Sequence, residues 1–192
     1  MHSTSLTVIH KYIRREMFDF AERLFRAGPE DVPAVLVAFD KLAGLLDEHA
    51  SKEEAKLASP LREIDPALAG RLERDHRRLD DRLSDLRRSV RALDPRSSSC
   101  AEALLRLHLD WNLYLSMYLA HLDDEERSLF TRVAEHLPPV EAIAESARLQ
   151  GPQQGGDFLL RLWSVTTCRE RRAIEDAQQA LAQARPENGV AA

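Results

Sequence analysis

With 192 residues, 44% of them hydrophobic, the chain can bury a substantial core and reads as one principal domain with an appendage. A net charge of −5, with Arg and Lys mixed among Asp and Glu in every segment, leaves no basic patch for nucleic acid or an anionic membrane surface. Two cysteines, Cys100 and Cys168, are too few for a disulfide framework or a thiolate metal site. With no signal-like N-terminus and no membrane-length apolar run, they predict a soluble cytoplasmic protein.

Seven glycines, abundant Leu, Ala, Arg and Glu, and few β-branched residues predict an all-α fold. Helix breaks fall at Gly28-Pro29, Ser59-Pro60, Asp94-Pro95 and Pro138-Pro139, and Asp65-Pro66 has the form of an N-cap followed by Pro at the first helical position. The predicted helices are Ser5 to Ala27, Asp31 to Ala58, Pro66 to Leu93 and Ser97 to Leu137, an up-down four-helix bundle over residues 1–137. Residues 138–192 read as a C-terminal extension: a helical stretch from Val140 to Leu149, a loop over Gly151 to Gly156, a helix from Asp157 to Ala184, and a disordered tail from Pro186. Its apolar residues Phe158, Leu162, Trp163 and Val165 suit packing on the bundle or on a second copy, giving a homodimer through the extension.

Each bundle helix carries an apolar stripe at three- and four-residue steps, and each stripe contains one histidine. The first runs His10, Ile13, Met17, Phe20, Leu24, and the second Phe39, Leu42, Leu46, His49, Glu53. The third runs Leu72, His76, Leu79, Leu83, Leu86, and the fourth Leu107, Trp111, Tyr114, Tyr118, His121, Glu125, Leu129. Polar groups on a core-facing stripe are costly unless satisfied, so six at once call for a shared explanation. With helices alternating in direction, all four histidines fall toward one end of the bundle. An HxxxE pair, as in His49-x-x-x-Glu53 and His121-x-x-x-Glu125, offers one neutral nitrogen and one anionic oxygen from the same helix face. Two facing pairs suit a pair of metal ions.

The other histidines read otherwise. His108 lies off the face of His121, His136 suits the carbonyl end of the fourth helix, and His2 sits in a flexible terminus. Tyr114 and Tyr118 read as aromatic filling beside the site, with a redox or hydrogen-bonding role as the alternative.

The ordered set His10, His49xxxGlu53, His76, His121xxxGlu125 resembles the hemerythrin-like (HHE cation-binding) domain over about residues 5 to 137. The phrases Ile9-His10-Lys11-Tyr12-Ile13-Arg14-Arg15-Glu16, His49 to Glu54, Asp75-His76-Arg77-Arg78-Leu79-Asp80 and His121 to Arg127 are similar to bacterial members. The resemblance implies a non-haem di-iron centre, with His10, His49, His76 and His121 as terminal ligands and Glu53 and Glu125 as bridges. Two positions depart from the oxygen carriers. Asp80 stands where they have a second histidine, and their last carboxylate lies five residues after its histidine, a spacing that would select Glu126 over Glu125.

A nitrogen-poor site of this kind suits reaction with oxygen, peroxide or nitric oxide, in stress defence or sensing, better than reversible storage. The formal excess of positive charge on two ferrous ions with two carboxylates invites a third, from Asp80, Glu54 or Glu126. Carrier, sensor and peroxide-consuming enzyme are all compatible with these residues, and zinc or manganese fits the same donors. The alternatives are an iron-handling or iron-sulfur repair factor and a structural or interaction bundle without metal.

Overall fold

A computed structural model describes residues 4–133, 136–150 and 152–183. The predicted tail from Pro186 and His2 lie outside the described residues. Seven α-helices longer than a single turn, and no strand, are found among the described residues: α1 Ser5–Arg26, α2 Val32–Ile64, α3 Pro66–Arg91, α4 Cys100–Asp124, α5 Ala142–Leu149, α6 Pro152–Leu162 and α7 Cys168–Gln183. The chain divides into two compact units. One comprises Ile13–His136; the other takes in the chain up to Tyr12 together with the residues from Leu137 onward. No described helix is long and apolar enough to cross a membrane.

In the unit Ile13–His136, the second part of α1 packs with α2, α3 and α4 around a core of Phe20, Phe39, Leu83, Leu107 and Trp111. Phe20 meets Trp111 edge-on at 4.7 Å between ring centroids and lies 5.8 Å from Phe39. These are the apolar positions that recur at helical spacing in the sequence. A single residue, Asp65, joins α2 to α3. Its side chain accepts the Leu68 N–H at 3.0 Å, Pro66 occupies the first helical position, and Arg132 reaches the same carboxylate at 2.8 Å.

Pro60 does not end the second helix, as its sequence suggests, but lies inside α2, which continues to Ile64. Pro60 forfeits one backbone hydrogen bond. The last turn is retained because Leu57 and Leu61 are both buried and because Asp65 supplies the stop. The fourth helix is also shorter than predicted. α4 begins at Cys100 and passes at Asp124 into a widened, π-helical turn, Glu125–Leu129, followed by one α-helical turn, Phe130–Arg132. His136 therefore lies beyond the helix end, exposed in a 3-10 turn.

In the other unit, Pro152 to Gly156 of the loop predicted over Gly151 to Gly156 instead open α6, while Gly151 lies outside the described residues. Gly155 permits this because α5 passes directly against it; a Cβ there would lie 2.0 Å from the Ala147 carbonyl oxygen. The long helix predicted from Asp157 to Ala184 is interrupted after Leu162 and restarts at Cys168. The restart is a capping box: the Glu170 N–H donates to Thr167 Oγ1 at 3.3 Å, and the Thr167 N–H donates to Glu170 Oε2 at 2.7 Å. Glu170, 2% exposed, also accepts Lys11 Nζ at 2.8 Å, and Phe158 packs edge-on against Tyr12.

Candidate metal centre

Helix periodicity brings His49 and Glu53 to one face of α2, and His121 at the end of α4 to the same face as Glu125, which opens the turn that follows. All four are at least 95% buried. His49 Nε2 lies 3.4 Å from Glu53 Oε1, and His121 Nε2 lies 3.2 Å from Glu125 Oε1. His76 from α3 stands between the pairs, 3.7 Å from Glu53 Oε2, 3.6 Å from Glu125 Oε1 and 3.0 Å from His121 Nε2. One ligand atom from each of Glu53, His76, His121 and Glu125 lies within 4.8 Å of all the others, and the same holds for His49, Glu53 and Glu125. The two carboxylates belong to both groups.

The π-helical turn begins just where α4 delivers its carboxylate. The Glu125 N–H still reaches the His121 carbonyl, so the pair keeps α-helical spacing, while the Glu125 carbonyl accepts from Phe130, five residues on. Widened turns of this kind are rare and concentrate at functional sites.

His76 is the most accessible of the five, with its side chain 20% exposed, because it borders two openings. One cleft is lined by His49, Glu53, His76 and His121, by Tyr114 and Tyr118, and by Asp47 and Asp80. Asp47 is paired with Arg87. The other cleft is mainly apolar, with Leu57, Leu61, Leu72 and Leu129 around Glu53, His76 and Glu125, and with Glu54 and Glu73 also in its lining.

Burial depresses the His76 pKa, but contact with Glu125 and the charges of Glu125, Glu53 and Asp80 outweigh it, and the net shift is upward. Burial raises the Asp80 carboxyl above its ordinary value, opposed chiefly by His76. The phenols of Tyr114 and Tyr118 are held protonated, first by burial and then by neighbouring negative groups.

These residues fit a metal. Two buried carboxyl groups so close together are costly unless positive charge is supplied, and a divalent cation supplies it. With bonds of about 2.1 Å, two donors at right angles on one ion lie roughly 3 Å apart, and the donor separations of 3.0–3.7 Å fall at or somewhat above that spacing. His121 Nδ1 is buried without a hydrogen-bond partner, so no second contact fixes its tautomer.

The remaining sequence-predicted residue, His10, is fully buried in the turn of α1 that groups with the C-terminal elements. Of the three carboxylates considered as additional ligands, Asp80 borders the polar cleft, Glu54 is 62% exposed near Arg62, and Glu126 is engaged by Arg14. His108 contacts Asn112 and Phe25. Sequence reading missed Asp47 and the apolar cleft, as well as Arg14, whose spacing of four residues from His10 was the available signal.

Neither the curated proteins nor the solved structures yield a match to this chain. The model of the hemerythrin HHE cation-binding domain matches residues 2–133, a span containing every His and Glu gathered above. The chain therefore belongs to the hemerythrin HHE cation-binding domain family.

Proposed function

We propose that the chain holds a pair of iron ions and binds or reacts with dioxygen, peroxide or nitric oxide, in stress defence or sensing. The observation that carries this reading is that Glu53 and Glu125 each belong to both donor groups, as bridging carboxylates must. In this reading His76 and His121 would serve one ion and His49 the other, with Glu53 and Glu125 shared between them, and His10 is kept as the further ligand that the family resemblance implies. Bound iron supplies open coordination positions and one-electron chemistry for a small ligand. The protein excludes bulk water by burying the donors and holds Tyr114 and Tyr118 as protonated phenols in the polar cleft. Asp80 at that cleft is the third carboxylate best placed to balance charge.

The test is metal content and the absorption spectrum of air-exposed protein, compared with a His49→Ala/His121→Ala variant. We expect about two irons per chain and a charge-transfer band in the wild type, with both lost in the variant while helicity is retained. Full iron loading of the variant would defeat the assignment, and zinc or manganese in place of iron would correct it.

A further inference from the structure

The run Asp123-Asp124-Glu125-Glu126 offers four consecutive carboxylates at the end of α4, yet one alone turns inward: Glu125 is 1% exposed. The π-helical turn makes this selection delicate. The widened turn opens at Glu125 itself and takes more residues per revolution than an α-helix, so Glu126 steps less far around the axis from the inward direction and becomes a competitor for the position Glu125 holds. Arginines engage the other three carboxylates. Glu126 is gripped by both terminal nitrogens of Arg14 on α1, at 2.7 and 3.1 Å. Asp124 is gripped by Arg71 on α3 at 2.9 and 3.2 Å and also accepts Ser128 Oγ at 3.1 Å. Asp123 pairs with Arg127, four residues on.

We propose that Arg14 and Arg71 are positioning residues that select Glu125 as the single carboxylate of this run facing the metal centre, with Arg14 excluding Glu126. Resting on the metal-binding reading above, the inference adds which residues set the carboxylate complement of the site. Two-point guanidinium–carboxylate pairs fix orientation as well as proximity. Arg14 and Glu126 are 26% and 30% exposed, so neither is buried deeply enough to serve only as core packing. Arg14 and Arg71 also come from two different helices, so the turn is held by separate anchors.

The experiment loads full-length apo-protein with ferrous iron, then reads iron per chain and the absorption spectrum after air exposure. The variants are Arg14→Gln, Glu126→Gln, the double variant, Arg14→Lys and Glu125→Gln. Arg14→Gln is expected to shift the charge-transfer band and lower tightly held iron at least about two-fold, because the freed Glu126 competes. Glu126→Gln alone should leave both unchanged, and the double variant should return to the wild-type spectrum. A merely structural role for Arg14 predicts the opposite, a double variant as impaired as Arg14→Gln, and that result would overturn the proposal. If Arg14→Gln loses helicity, Arg14→Lys keeps the charge but weakens the two-point grip, and a wild-type spectrum there would overturn it equally. Full iron loading of Glu125→Gln would instead sink the underlying assignment of Glu125, a result separable from the others.

Discussion

The Nε2 atoms of His76 and His121 face one another at 3.0 Å, with the rings edge to face and their centroids 4.6 Å apart. Without a cation, a hydrogen bond between them needs one Nε2–H and one bare Nε2, in either direction, and fails when both rings are protonated. A bound ion accepts both lone pairs. Because these donors are dispersed in the unfolded chain, a ligand at one hundred times its dissociation constant adds about 2.7 kcal/mol to stability. For a chain of this size that is a rise in Tm of roughly 5–10 °C. Calorimetry with and without a chelator measures it; an unchanged Tm counts against a metal centre.

Trp111 is fully buried between Phe20 and Tyr114, and its Nε1 has no hydrogen-bond partner. Trp111→Ala should cost about 3–5 kcal/mol. Trp111→Phe keeps an aromatic ring and removes an unsatisfied N–H, terms that offset one another to within roughly 1 kcal/mol. Urea denaturation of both variants, followed by circular dichroism, separates the two effects.

Pro60 sits inside α2 with one backbone hydrogen bond missing. Pro60→Ala restores a donor for the Lys56 carbonyl, partly offset by the greater freedom of the unfolded chain. The expected net is a gain of about 1–3 kcal/mol, read as a higher urea midpoint. A lower midpoint would mean that α2 needs the local distortion proline imposes.

Two adjacent glycines in α6 should respond with opposite sign. A Cβ at Gly155 meets the Ala147 carbonyl oxygen at 2.0 Å, whereas nothing lies within 4 Å of one at Gly156. Gly155→Ala should destabilise the α5–α6 pair by roughly 1–3 kcal/mol, and Gly156→Ala should add about 0.4–1 kcal/mol. Hydrogen exchange of the α5 and α6 amides reports each change locally, and equal protection in both variants would contradict this packing.

Much of the helical architecture follows from local chemistry: apolar residues at three- and four-residue steps, the Asp65-Pro66 cap, and His49/Glu53 and His121/Glu125 one turn apart on their own helices. Such features are legible because they involve neighbours within one or two turns. Tertiary structure decided what depends on distant partners. α2 runs through Pro60 because buried leucines hold its last turn, and Pro152 to Gly156 enter a helix because α5 lies against Gly155. Among Asp123, Asp124, Glu125 and Glu126, the four-residue step from His121 points to Glu125. The partners that hold Glu126 and Asp124 are arginines more than fifty residues away along the chain, Arg14 and Arg71. Charge pairing across helices has no periodicity to read, so only the folded arrangement reveals it.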